Sequence, residues 1–380
     1  MKNVLISFQS TIPHYRVPFY NALERLRPDT WCFQVVYDST EIKSKRFFRE
    51  PLNFDQFDFN LLDTKTLSLQ FSNKRISVQS FVFYAGKFDL LILGSSFNNL
   101  SYPFSLIHQI SGTKIALWGH GQDRGTPNPG GVNLLKERIR LWMIHMSDGY
   151  FAYTPGVKKY LERQGIDPTK IFVTNNTIDI NAQRAIFNKL TPDKEKIRRE
   201  LGVSAKNKVL LFVGRLTKRK RIDYILKAFS ILQKIDNTYH LFIVGDKVDS
   251  SLDFSDKNIT YFGSIVDLDK LGPIYMSSDI FICPGGVGLG PLQALCYNLP
   301  IITIDSEIHG PEFEYLSPRN SIILNSGATP EEYSQTIMNL FDNRQQLNYL
   351  QDNAWPSIEY LTIEQMANNF IRGINNILEI

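Results

Sequence analysis

The stretch Val209–Phe229, VLLFVGRLTKRKRIDYILKAF, constrains this chain more than any other. It begins with a continuous apolar run, Val209 to Val213, the pattern of a strand buried on both faces of a parallel sheet. Gly214 breaks the run, and Arg215, Lys218, Arg219, Lys220 and Arg221 follow in a basic loop. Asp223 is expected to open a helix with Ile222, Ile225, Leu226 and Phe229 on one face. Strand, glycine, cations and helix start make a place for phosphate: the helix N-terminus offers free N–H groups, and Arg and Lys add charge. A solvated basic turn is the plain alternative, and the stretch alone does not decide between the two.

At 380 residues the chain exceeds one typical domain, so two are expected. A net charge of only +4 gives no sign of a nucleic-acid partner. Cys32, Cys283 and Cys296 are far apart and form no Cys-x-x-Cys, which reads as structural thiols of a reducing cytoplasm rather than a zinc site or disulfide framework. The apolar run in MKNVLISFQS is too short for a signal peptide, and no stretch reaches the length of a membrane span.

Apolar runs at Asn3–Phe8, Trp31–Tyr37, Leu90–Leu93, Lys114–Trp118, Tyr150–Tyr153 and Ile171–Thr174 alternate with helical patterns, predicting a Rossmann-like parallel sheet. Arg75–Tyr84 and Tyr102–Ile110 read as helices, and Lys43–Asn60 as a long loop with an edge strand. Ile180–Lys206 reads as a polar connector, with helix-forming charge from Asp193 to Glu200. The alternation restarts at Val209–Val213, Leu241–Val244, Ile259–Phe262, Ile280–Cys283 and Ile301–Ile304, with helices between, so a second Rossmann-like half is expected. Ile363–Leu378 reads as a final helix. Two such halves imply a cleft, because open α/β sheets bind ligands beyond the carboxyl ends of their strands.

Four further places could carry chemistry. His120 directly follows a buried strand, where a histidine could polarise a substrate group or serve as a turn residue. Gly119, Gly121 and Gly125 imitate a dinucleotide fingerprint with the third glycine one place late, which argues against NAD. Gly285, Gly286, Gly288 and Gly290 follow a strand and precede a helix, so backbone there can approach a phosphate or sugar closely. Glu312 and Glu314 stand two apart, a spacing that points them to opposite sides of an extended chain. They could hold hydroxyls but make a poor paired-carboxylate hydrolase site. In Lys136–Met146, Leu135, Ile139, Trp142 and Met143 share a face beside Lys136, Arg138 and Arg140; a core-packed helix with a basic outer face is the favoured reading, docking on anionic lipid the other.

Taken together and in order, these segments resemble the GT-B glycosyltransferases of family 4, the group 1 glycosyl transferases. Phe212–Asp223, FVGRLTKRKRID, is similar to the family's strand–GRL–xxx–K–G–I–D signature, with Arg215 and Lys220 on the Arg and Lys that hold the donor diphosphate. Val173–Asp179, VTNNTID, and Leu241–Asp246, LFIVGD, resemble two more family segments. Ser278–Pro300 resembles the segment around the family's glycine loop, and His120 sits where the family has an active-site histidine. There is one departure. The family's two glutamates, separated by seven residues, are Gly285 and Gln293 here. Gln293 keeps hydrogen-bonding capacity for a ribose, whereas Gly285 offers no side chain. Backbone N–H groups of Gly286, Val287, Gly288 and Leu289, or the Glu312 carboxylate, are the candidates to replace it.

The resemblance implies an α/β chain of GT-B type: two Rossmann-like domains with parallel sheets facing across a cleft. It implies an acceptor domain at residues 1–180 joined by the C-terminal helix, 357–380, and a nucleotide-sugar domain at 181–356. Donor contacts are expected from Gly214, Arg215, Lys220, Gly285, Gly286, Val287, Gly288, Leu289, Gln293 and Glu312, and acceptor contacts from His14, Tyr15 and Arg16. His120, Arg215 and Lys220 are the expected catalytic residues. The implied reaction is retaining transfer of a sugar from a nucleotide diphosphate sugar to a hydroxyl of a glycan or lipid-linked saccharide. Bacterial surface polysaccharide synthesis is the implied setting, in the cytoplasm with peripheral contact at the inner face of the membrane. No cofactor, nucleic acid or metal is expected; two cations can stabilise the leaving group, and the sequence is read as lacking a DxD-type metal motif. A catalytically impaired binding or assembly partner is the alternative.

Overall fold

The computed structural model describes residues 1–8, 11–40, 54–71, 74–95, 98–122, 131–247, 252–306 and 308–380. Residues 43–53 of the expected long loop and Gly125 of the fingerprint-like run lie outside the described residues. The chain forms two compact units, residues 1–178 with 361–380, and residues 179–360.

In the first unit the described strands are β1 (Lys2–Ser7), β2 (Trp31–Tyr37), β3 (Asn60–Asp63), β4 (Thr66–Phe71), β5 (Lys74–Gln79), β6 (Leu90–Gly94), β7 (Lys114–Gly119), β8 (Gly149–Ala152) and β9 (Ile171–Val173). Seven of them form one parallel sheet in the order β3-β2-β1-β6-β7-β8-β9. Its central strands are buried on both faces, which is why they read as unbroken apolar runs. The helix Ile363–Leu378 completes this core: Phe370 stacks on Phe151 at 4.1 Å, and Trp31 Nε1 donates to Asn375 Oδ1 at 2.8 Å. Gly373 allows the approach, since a Cβ there would lie 2.4 Å from the Phe151 ring.

The second unit holds β10 (Lys208–Val213), β11 (Tyr239–Val244), β12 (Ile259–Tyr261), β13 (Ile280–Cys283), β14 (Ile301–Ile304) and β15 (Ser321–Leu324), all parallel in the order β12-β11-β10-β13-β14-β15. Both sheets reverse strand order next to their first strand, the arrangement that opens a crevice at the carboxyl edge of each.

Three expected elements differ. Arg75–Tyr84 is not a helix. Lys74–Gln79 is β5, paired antiparallel with β4 so that Leu67 faces Val78 and Leu69 faces Ile76, and a 3-10 turn follows at Ser80–Phe83. The period-two alternation of Ile76, Ser77, Val78 and Gln79 favours this pairing. Tyr102–Ile110 is helical only over Ser101–Ser105, then tightens to a 3-10 helix over Leu106–Ser111 that ends at Gly112 with φ 88°. The stretch read as a connector holds two helices, the unexpected Ile180–Leu190 and Lys194–Glu200, where the helix-forming charge lies. The first is capped by Asp179 and tied into the second unit by Arg184, which donates to Cys296 O at 2.9 Å and Asn298 Oδ1 at 2.8 Å.

Candidate functional site

The basic loop leaves the carboxyl end of β10 beside the loop that follows β11. Gly214 N–H donates to Val244 O at 2.9 Å, and Leu216 N–H to Asp246 O at 2.9 Å. The two backbones touch at Gly245, where a Cβ would fall 1.9 Å from Gly214 O. The helix Ile222–Ile235 begins one residue earlier than expected, with Arg221 at its N-cap in the left-handed region, φ 55°. Its guanidinium lies 4.2 Å from the centre of the Tyr224 ring. Ile222 and Asp223 precede the first backbone bond of this helix, from Tyr224 N to Arg221 O, so their N–H groups head the loop.

Arg215 is exposed and, among the described residues, makes no side-chain hydrogen bond or ion pair. The Lys220 amine donates to Gly286 O, and the Arg219 guanidinium donates to Ile308 O. Arg219, a cation of the loop that the family signature leaves unassigned, thus anchors the loop after β14.

The glycine loop answers this arrangement. Gly286 N–H donates to Arg219 O at 2.9 Å. A Cβ on Gly285 would lie 2.4 Å from Arg219 O and 2.7 Å from Lys220 Cα. Backbone of the basic loop therefore occupies the space into which a side chain at position 285 would project. Gly288 is the reverse case, with no atom within 4 Å of a Cβ placed there. Gly288, Leu289 and Gln293 are partly exposed along the open side of the loop.

His309, three residues before Glu312, belongs to the site although no sequence pattern singles it out. His309 is 3% exposed and stacks on Phe313 at 4.1 Å. Its Nδ1 accepts from Val287 N–H at 2.9 Å, while Nε2 bonds Ile304 O at 2.8 Å, which fixes the Nε2–H tautomer. Burial holds the imidazole below its usual pKa, with Lys220 and Arg219 reinforcing the shift and Ile304 O and Asp305 opposing it. Gly310 N–H returns a bond to Val287 O at 2.8 Å. Of the four backbone N–H groups expected to serve a ligand, those of Gly286 and Val287 are thus committed to scaffold bonds. Glu312 and Glu314 sit on a 3-10 turn, Pro311–Tyr315, rather than extended chain. Glu312 is buried with its carboxylate against Gly310, and Glu314 is exposed.

One Asp-x-Asp is in fact present, Asp267–Leu268–Asp269. Asp267 caps the helix Leu268–Met276, accepting from Asp269 N–H at 3.0 Å, and pairs with Lys270 at 3.6 Å. Its carboxylate is used in folding that turn, and among the described residues no three His, Cys, Asp or Glu side chains gather.

In the first unit, His120 is exposed just beyond β7, its ring edge-on to Tyr153 at 4.6 Å. Behind it, Arg16 is 1% exposed. Its Nη2 donates to Tyr153 Oη at 3.2 Å and to Asn176 Oδ1 at 2.5 Å, and the guanidinium covers Trp118 at 4.9 Å. Arg16 is therefore a buried brace under the carboxyl edge of the sheet. Of its two neighbours, His14 is exposed and Tyr15 half-buried.

The second-unit site is a cationic edge without a metal-type carboxylate cluster among its described residues, suited to an anion whose charge grows as a bond breaks. The model of the family described as glycosyl transferases group 1 matches residues 193–355. An uncharacterized glycosyltransferase of Methanocaldococcus jannaschii is 27% identical over 85% of this chain and 77% of its own length. An uncharacterized 41.2 kDa protein in the cps region of Klebsiella pneumoniae is 27% identical over 41% of each chain, so this chain spans about two fifths of that relative. Among solved structures, Anabaena HepE in complex with UDP-glucose superposes with a TM-score of 0.69 at 14% identity, over 98% of this chain and 99% of that one. Residues 193–355 are thus similar to the group 1 glycosyl transferases, and from end to end the chain has the GT-B fold.

Proposed function

We propose that this protein transfers a sugar from a nucleoside diphosphate sugar to an acceptor hydroxyl, retaining the anomeric configuration and without a metal ion. The observation that carries the reading is the pairing of the basic and glycine loops through Gly286 N–H, Lys220 and Arg219, which leaves Arg215 facing solvent at a helix start. A departing nucleoside diphosphate gains negative charge, and Arg215, Lys220 and the N–H groups of Ile222 and Asp223 stabilise it there. Lys220 exchanges the Gly286 carbonyl for a phosphate oxygen when the donor arrives. Gln293, Gly288 and Leu289 take the nucleoside and sugar side of the donor, with Glu312 held in reserve beneath the loop. His120 serves the sugar or acceptor hydroxyl, and His14 and Tyr15 the acceptor. HepE, crystallised with UDP-glucose, supports a uridine nucleotide as the first donor to try. The Klebsiella relative, described by its place in a cps region, supports an acceptor in surface polysaccharide synthesis, lipid-linked and met at the cytoplasmic face of the membrane.

The second reading, a binding partner without turnover, is favoured by one observation: the place of the first family glutamate is filled by backbone. Calorimetry with UDP, GDP, ADP and dTDP separates the two, since binding of none of them favours the non-enzyme. For the transferase, Lys220→Ala lowers kcat/KM by about 10²–10³, the scale of losing one charge-stabilising donor. Near-normal turnover in that variant refutes the assignment.

A further inference from the structure

Exposed large apolar side chains are unevenly placed. Of nineteen among the described residues, eleven fall between Leu67 and Met146. They ride on elements tied to one another. His108 Nε2 bonds Val82 O at 2.8 Å, joining the 3-10 turns at Ser80–Phe83 and Leu106–Ser111. Gln109 Nε2 donates to Met146 O at 2.9 Å, joining the second turn to the helix Gly131–Met146. Ile110 is 88% exposed, Phe83 82% and Trp142 53%.

The long helix departs from the favoured sequence reading at Leu135 and Trp142, which face solvent, while Met143 packs inward as expected. Met143, Ile144 and Arg140 face the core, while Leu135, Arg138, Trp142, His145 and Met146 form one exposed stripe. Arg140 is neutralised by Glu137 at 2.7 Å, whereas Arg138 stays exposed. From Thr66 to Met146 the sequence has eight Lys and Arg against three Asp and Glu, although the whole chain has 42 against 38. Isolated exposed apolar residues are ordinary, but a connected set within a basic segment marks an interaction surface.

We propose that the face carrying Phe83, Ile107, Ile110, Leu135, Trp142 and Met146 docks on an anionic lipid bilayer. Charge decides the occupant: a face bearing the exposed cations Lys87 and Arg138 repels a second copy of itself and is drawn to anionic headgroups, while the aromatic and aliphatic tips enter the interface. Lys87 and Arg138, both exposed, supply headgroup contacts. This gives a location to the membrane contact proposed above and rests on that part of the reading, not on sugar transfer.

The test is co-sedimentation of the full chain with vesicles of phosphatidylcholine alone and of phosphatidylcholine with phosphatidylglycerol, at low and high salt. The expected result is binding to the phosphatidylglycerol vesicles only, weakened by salt, with a blue shift of tryptophan fluorescence. Ile110→Ser combined with Trp142→Ser lowers partitioning at least about tenfold, and Arg138→Glu lowers it roughly fivefold or more. All three positions are exposed, so unchanged melting and unchanged UDP affinity show that the fold and the nucleotide site are intact. No vesicle binding, binding indifferent to lipid charge, or binding untouched by these variants overturns the proposal. So does a dimer in sedimentation velocity that the same substitutions dissolve. UDP binding is read without vesicles, so loss of docking and loss of the transferase reading are separate results.

Discussion

Replacing Gly285 by alanine places a methyl carbon 2.4 Å from Arg219 O, 2.6 Å from Lys220 C and 2.7 Å from Lys220 Cα. All three neighbours are backbone, so no side-chain rotation relieves the contact and the two loops must part. Overpacking of this kind costs about 1–3 kcal/mol. Parting the loops also breaks the bond from Gly286 N–H to Arg219 O, worth about 0.5–1.5 kcal/mol. The sum, about 2–4 kcal/mol, corresponds to a fall of roughly 5–15 °C in the melting temperature of the unit. Because Lys220 is carried on the displaced loop, UDP affinity should fall at least about tenfold, or about 1.4 kcal/mol. Differential scanning fluorimetry and calorimetry with UDP measure the two effects. Gly285→Glu should behave no better than the alanine variant, since its carboxylate starts from the same blocked Cβ. A Gly285→Ala protein that melts as the wild type does and binds UDP equally well refutes the claim that the basic loop has taken the glutamate's place.

His309 makes stability depend on pH. Its folded pKa is depressed by burial, so below about 6.5 the unfolded chain takes up a proton that the folded one refuses, and stability falls as pH falls. His240, also depressed by burial, contributes with the same sign. The difference between wild type and His309→Asn, which keeps an acceptor for Val287 N–H but does not titrate, isolates the His309 share; identical pH profiles refute it. Arg16→Met removes the bonds to Tyr153 and Asn176 while keeping most of the volume, and should cost about 2 kcal/mol or more. Equal denaturant midpoints for the two proteins would show that Arg16 is no brace.

Much of the fold is local in origin and therefore readable in advance. Apolar runs such as Val209–Val213 and Leu90–Leu93 are buried strands because neither face has room for polar groups, and they are parallel because helices alternate with them. The hairpin β4–β5 was harder to read, since a short segment containing Ile76 and Val78 fits two periodicities until its partner strand is known. The first helix of the connector is hidden for a related reason: Ile180–Leu190 looks polar by composition but buries Ile180 and Gln183, the latter against Tyr297, distant in sequence.

The sequence by itself determined that cations follow a buried strand and that glycines follow another, because composition and spacing are properties of the linear chain. The family resemblance, in turn, implies that Gly285 and Gln293 stand where the family has its two glutamates. Only the tertiary structure decided that the two loops interlock, that Arg219 is an anchor, that Arg16 is buried, and that Trp142 faces outward while Met143 faces in. The first three of these depend on which group arrives beside a residue from 60 or more positions away in the chain, as the Ile308 carbonyl beside Arg219 and the Asn176 side chain beside Arg16. His309 shows the same limit: its role is set by the Val287 N–H that folding brings to one ring nitrogen and the Ile304 carbonyl it brings to the other.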